Sequence, residues 1–157
     1  MDMLLQQIAA ALLARKQTLA TAESCTGGLL GGACTRLPGS SAWYLGGIIA
    51  YSNALKTRLL DVKAALLAAH GAVSPETAKA MADGARAKTG ADYVLAITGI
   101  AGPDGGTKEK PVGLVFIALA GPTGTQAFEH RFSGSRSEIR AVVVETALRH
   151  LLHAVEA

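Results

Sequence analysis

The stretch TLATAESCTGG, residues 18–28, decides the fold. Thr18 to Ala22 is short, apolar and rich in threonine, the character of a strand. The segment from Glu23 to Gly28 breaks the run sharply. Residues 26–36 then read as a glycine-rich helix, closed by Pro38-Gly39. A strand that feeds directly into a helix is the building unit of a layered α/β domain.

The same alternation continues outward from this segment. Upstream, Leu4, Leu5, Ile8, Leu12 and Leu13 recur at near-helical spacing and predict a helix over residues 2–15. Downstream, residues 43–51 read as a second strand, and residues 53–60 as a short helix capped by Ser52 or Asn53. Residues 62–69 predict another helix, closed by Gly71. Ser74-Pro75 pairs a capping serine with proline at the first helical position, so a helix runs from there to about Lys88. Residues 92–98 form an apolar strand. A loop over residues 99–111 follows, with four glycines and two prolines. Residues 112–119 and 126–132 make a hairpin around Gly121-Pro122-Thr123-Gly124. Ser135-Arg136-Ser137-Glu138 has the capping-box pattern and opens a last helix. Its core face is expected to carry Ile139, Val142, Val143, Ala147 and Leu151. The predicted architecture is a single three-layer α/β/α domain over residues 1–157, built around a mixed sheet.

Composition narrows the function. Half of the residues are hydrophobic, 4% are aromatic and 17% are charged. An average globular domain is roughly 25% charged. The core must therefore be aliphatic, and the low charge leaves room for a buried face in a homodimer or higher homo-oligomer. The net charge of +3 is spread along the chain. A nucleic-acid groove needs a denser basic cluster with interleaved aromatics, so nucleic acid is not the expected partner. Cys25 and Cys34 match no metal or redox spacing. The longest apolar run, residues 112–120, is too short to cross a bilayer. With no basic n-region near Asp2, a cytoplasmic location without membrane contact is expected.

Four segments could carry chemistry. Ser24 stands where a strand ends and a helix begins, and ligands in open α/β sheets sit outside the strand carboxyl ends. Free N–H groups there would stabilise an oxyanion, and Gly27 would let a ligand approach the backbone. A serine in that place also serves as a plain helix cap. Tyr51 and Lys56 flank a second strand-to-helix junction. A desolvated lysine near a helix N-terminus has a lowered pKa and can act as a base, with Tyr51 relaying a proton. The alternative is a solvated lysine and a rim tyrosine. The loop after residue 98 can present consecutive N–H groups to an anion, although neither GxxxxGK[ST] nor GxGxxG is present. Arg136, in the first turn of the last helix, suits a phosphate clamp or an ordinary surface ion pair. His70, His130, His150 and His153 fit no ligand motif, so neither a metal nor another cofactor is expected.

TAESCTGG (21–28), SSAWYLGGIIAYSNALK (40–56), GAVSPETA (71–78), ITGIAGPDGGTKEKPVGLV (97–115) and F-x-G-x-R-x-x-I-R (132–140) resemble the C-terminal domain of the competence- and damage-inducible CinA family. The resemblance covers essentially the whole chain, in order. It implies hydrolysis of the carboxamide of nicotinamide mononucleotide to nicotinate mononucleotide and ammonia, a step of pyridine-nucleotide recycling. The family's catalytic serine, tyrosine and lysine fall on Ser24, Tyr51 and Lys56. Its loop hydroxyl falls on Thr98, and its arginines fall on Arg136 and Arg140. Ser135 stands where aspartate is common. Substrate contacts are further expected from Glu23, Thr26 and Gly27, from Asn53, and from Gly99 and Gly102. The larger members carry a second domain similar to molybdopterin-binding proteins, whose activities are not carried over. Rival readings are a nucleotide-binding module without chemistry, an interaction protein of DNA uptake or repair, and an amidase for another aromatic carboxamide.

Overall fold

The first strand, β1 (Leu19–Glu23), lies inside a five-stranded sheet with all five of its residues buried. The computed structural model describes residues 1–157. The other strands are β2 (Tyr44–Ile49), β3 (Tyr93–Gly99), β4 (Leu114–Gly121) and β5 (Gly124–Arg131). Their order is β2-β1-β3-β4-β5. β1 runs parallel to both β2 and β3, whereas β4 is antiparallel to β3 and to β5. The sheet is therefore mixed, as expected from the closing hairpin.

Six helices cover the two faces: α1 (Asp2–Ala14), α2 (Leu29–Cys34), α3 (Asn53–Leu60), α4 (Ala64–His70), α5 (Pro75–Thr89) and α6 (Arg136–Glu156). One apolar cluster joins Leu5, Ile8 and Leu12 of α1 to Leu30 of α2 and to Ile139, Val143 and Leu151 of α6. The other joins Leu60, Leu67, Met81 and Ala85, from α3, α4 and α5, to the opposite sheet face. Each cluster closes one face, giving the three-layer α/β/α architecture. Because helices cover both faces, β3 and β4 are near-continuous apolar runs rather than alternating ones.

Three of the boundaries that differ from the sequence expectation, and one core-face position, have a clear local cause. α2 begins at Leu29, not at residue 26, because Gly27 and Gly28 take positive φ (56° and 103°) in a turn ahead of it. β4 begins at Leu114 because Gly113 (φ 92°) lies too close to the Phe132 backbone for any Cβ. α4 starts at Ala64, and Val62 is instead buried in the preceding connection. Val142 is 38% exposed, since α6 buries Ile139, Val143, Val144, Ala147, Leu148, Leu151 and Val155 and turns Val142 outward. Ser52, Ser74 and Ser135 cap α3, α5 and α6 through their side chains, and Ser135 with Glu138 forms a complete capping box.

Two details of packing set up the site. The carboxyl ends of β1, β2 and β3 lie side by side and deliver Ser24, Tyr51 and Thr98 to one edge of the sheet. Gly84 lets α5 press against the end of α3, because a Cβ there would overlap the Leu60 carbonyl.

Candidate active site

Ser24 follows β1 directly, and its N–H donates to the Ile97 carbonyl at 3.0 Å. Its side chain meets that of Lys56. Ser52 caps α3 by accepting from the Leu55 N–H, which places Lys56 in the first turn. Lys56 Nζ then lies 3.0 Å from Ser24 Oγ and donates to the Tyr51 carbonyl at 2.8 Å. Lys56 is 1% exposed and Ser24 is 7% exposed. No carboxylate forms an ion pair with Lys56. Burial therefore dominates its ionisation and holds its pKa below the ordinary lysine value.

A cavity of about 250 Å³ opens beside this pair. Ser24, Tyr51, Lys56, Thr98, Gly99, Gly102 and Arg136 all line it. Thr98 is buried, and its hydroxyl donates to the Ala72 carbonyl at 2.6 Å. Tyr51 is 61% exposed at the mouth. Arg136 is the first residue of α6. Its guanidinium donates to the Gly102 carbonyl at 2.8 Å and reaches the Tyr51 hydroxyl at 3.4 Å. That contact ties the loop after β3 to the start of α6 and leaves a fixed cation on the wall.

Five of the expected substrate-contacting residues lie elsewhere. The Glu23 carboxylate is buried and accepts from the Thr26 hydroxyl and from the Gly28, Leu30 and Gly31 N–H groups. It caps α2 and occupies Thr26 at the same time, so neither residue faces the cavity. Gly27 is exposed outside it, beside the Arg140 guanidinium. Arg140 donates to the Cys25 carbonyl and to the Thr26 carbonyl, each at 3.1 Å. Asn53 lines a separate depression with Thr57 and Leu67.

Further lining positions were not among the expected site residues. Cys25, Val73 and Asp104 also face the cavity. Asp104 sits in a loop already marked by its glycines, but nothing in its spacing singles it out. The Cys25 thiol is pushed up to about 11 by burial, which its own N–H and the two arginines only partly offset. It is therefore a protonated wall group beside Ser24, not a thiolate.

Away from the cavity, His130 and His150 meet with their Nε2 atoms 2.9 Å apart. No group of three or more His, Cys, Asp or Glu side chains gathers in a way that could hold a metal ion. No helix is long and apolar enough to cross a membrane.

Known proteins are similar to this chain over most of its length. A CinA-like protein from Parasynechococcus marenigrum is 56% identical over 148 residues, 94% of this chain and 35% of that protein. One from Geotalea uraniireducens is 60% identical over 125 residues, 80% of this chain and 30% of that protein. The chain thus spans about a third of the length of these curated relatives. Among solved structures, the competence/damage inducible protein CihA from Agrobacterium tumefaciens superposes with a TM-score of 0.95 at 42% identity, covering 99% of this chain and 95% of that one. A CinA superfamily protein from Klebsiella pneumoniae gives 0.94 at 36% identity, covering 98% and 96%. The family model for the CinA C-terminal domain matches residues 1–155, and the chain belongs to that family.

Proposed function

We propose that this domain is a nicotinamide-nucleotide amidohydrolase with Ser24 as nucleophile and Lys56 as its base. The observation that carries the reading is the 3.0 Å contact between a buried lysine amine and a serine hydroxyl at the wall of a cavity. Serine is a weak nucleophile at its free pKa and needs an adjacent base. A lysine whose pKa is lowered by desolvation supplies one without a histidine.

In the first step Ser24 Oγ bonds to the carboxamide carbon, the carbonyl electron pair moves to oxygen, and the Ser24 proton passes to Lys56 Nζ. Collapse of the tetrahedral adduct breaks the C–N bond. The leaving nitrogen takes that proton from Lys56 and departs as ammonia. Water then adds to the acyl-enzyme with Lys56 again receiving a proton, and collapse returns Ser24 as a hydroxyl. The sum is one carboxamide and one water giving one carboxylate and one ammonium. Tyr51, at the cavity mouth, can relay protons to solvent. Arg136 supplies the positive charge for a 5′-phosphate.

Ammonia release from nicotinamide mononucleotide by purified wild type and by Ser24→Ala tests this directly. Turnover by wild type with a loss of about 10⁴-fold or more in Ser24→Ala is expected. Near-normal turnover by Ser24→Ala removes the covalent scheme. Tight nucleotide binding without ammonia from either protein removes the reaction itself.

A further inference from the structure

The hydrogen bonds of the turn between β1 and α2 are almost completely accounted for, and the exceptions are informative. Glu23 takes the Gly28, Leu30 and Gly31 N–H groups. The Gly27 N–H donates to the Ser24 carbonyl, and the Leu29 N–H to the Thr26 carbonyl. The Ser24 N–H belongs to Ile97. Only the N–H groups of Cys25 and Thr26 make no hydrogen bond to another residue, although these residues are 6% and 0% exposed. Buried backbone donors are nearly always paired. Of the two, Cys25 lines the cavity and Thr26 does not; an unpaired N–H on the cavity wall, next to the candidate nucleophile, is the pattern of an oxyanion site.

Their direction is imposed by the carbonyls of the same peptide groups. In a trans peptide the N–H points opposite to the C=O. The Ser24 carbonyl is held by Gly27, which sets the Cys25 N–H. The Cys25 carbonyl is held by Arg140 Nε at 3.1 Å, which sets the Thr26 N–H. The second Arg140 bond, from an Nη to the Thr26 carbonyl at 3.1 Å, fixes the peptide group whose N–H, that of Gly27, holds the Ser24 carbonyl. The N-terminus of α2 cannot do this work, because Glu23 already occupies its donors.

We propose that Arg140 is a positioning residue: by gripping the Thr26 carbonyl it fixes the Gly27 N–H that holds the Ser24 carbonyl, and so aims the Cys25 N–H at the oxygen of the reacting carboxamide. The proposal rests on the amidohydrolase reading of the same site. It assigns the two arginines of α6 to different tasks, with Arg136 on the cavity wall and Arg140 behind the turn. When the C=O electron pair moves to oxygen, the Cys25 N–H receives the charge, and Arg140 itself touches no substrate.

The test uses the full chain and three readouts. Arg140→Ala and Arg140→Lys are compared with wild type for ammonia release from nicotinamide mononucleotide, for labelling of Ser24 by a phosphonofluoridate measured by intact mass, and for recovery with millimolar guanidinium. Losing one oxyanion donor typically costs 10²- to 10³-fold in kcat. A kcat loss of that order in Arg140→Ala is expected, with KM within about threefold, as an interaction made only in the transition state requires. Labelling slows in parallel, added guanidinium restores part of both rates, and Arg140→Lys falls between. A rise in KM with kcat retained overturns the proposal and makes Arg140 a phosphate clamp. A loss that guanidinium does not restore, with a matching fall in Tm, also overturns it and leaves a purely structural role. Wild type that labels at Ser24 but releases no ammonia overturns the substrate reading alone, and the labelling rates of the variants still decide the role of Arg140. Wild type that does neither overturns both.

Discussion

Lys56 Nζ lies 3.0 Å from Ser24 Oγ across 32 positions of sequence, and both side chains are buried. The pairing depends on two junctions at the same sheet edge, one after β1 and one after β2. With burial lowering the Lys56 pKa, the neutral amine is the reactive form. The expected pH–rate profile of kcat/KM therefore rises with pH and levels off above a pKa below the ordinary lysine value of about 10.4. A plateau that begins only at or above that value would contradict a desolvated base.

The same burial makes Lys56 a burden on stability. Its folded pKa is lower than its unfolded pKa, so the unfolded chain binds the proton more tightly. Its contribution to stability is most favourable above the unfolded pKa and is lost as pH falls through the folded one. At neutral pH Lys56→Met should abolish turnover and raise Tm. A gain of roughly 1 kcal/mol corresponds to about 2–4 °C for a chain of this size. Thermal melts at pH 7 check it, and a Tm well below wild type would show that the two hydrogen bonds of Lys56 outweigh its desolvation.

Arg136 is the cation on the cavity wall, and a charge-assisted bond to phosphate is typically worth about 1.5–3 kcal/mol. Arg136→Met should raise KM for nicotinamide mononucleotide by roughly 10- to 100-fold and change kcat little. The dephosphorylated riboside should be turned over equally by both proteins. An equal penalty on the riboside would show that Arg136 acts through its bond to the Gly102 carbonyl, by holding the loop.

Much of this was readable from the residues. The capping serines at positions 52, 74 and 135 are local signals, and each caps the helix it predicts. Ser24, Tyr51, Lys56, Thr98 and Arg136 sit at the ends of elements, where the order of strands and helices alone brings them together. The roles of Glu23 and Arg140 were not readable, because they depend on which backbone groups the turn turns inward. Glu23 looked available to a ligand, yet the positive φ of Gly27 and Gly28 folds three N–H groups onto its carboxylate. Val142 fitted a helical stripe on spacing, but the stripe passes beside it.

The histidine pair makes acid stability testable. Burial lowers the pKa of His130, and burial together with the charges of His130 and His153 lowers that of His150. His150 also stacks on Phe128 with centroids 4.0 Å apart. Both folded values lie below the unfolded value of about 6.5, so the stabilising neutral pair is fully present above that pH and is lost as pH falls through the folded values. Wild type should lose more Tm between pH 7.5 and 5 than a His130→Gln/His150→Gln variant. Parallel curves would assign the acid loss to other groups.

Two helical glycines predict opposite responses to the same substitution. Alanine exceeds glycine in helix propensity by about 1 kcal/mol. At Gly32, in α2, an added Cβ meets nothing within 4 Å, so Gly32→Ala should be neutral or stabilising by up to that amount. At Gly84 the added Cβ would overlap the Leu60 carbonyl, which is backbone and cannot rotate away. α5 must then move off the end of α3, the helix that carries Lys56. Gly84→Ala should lower Tm despite its better propensity, and it should lower kcat in the folded fraction by lengthening the Lys56–Ser24 contact. Urea melts and steady-state rates on both variants separate the effects. If Gly84→Ala melts like wild type but turns over slowly, the strain is absorbed at the site itself. If it is unchanged in both, the contact between α5 and α3 does not position the lysine.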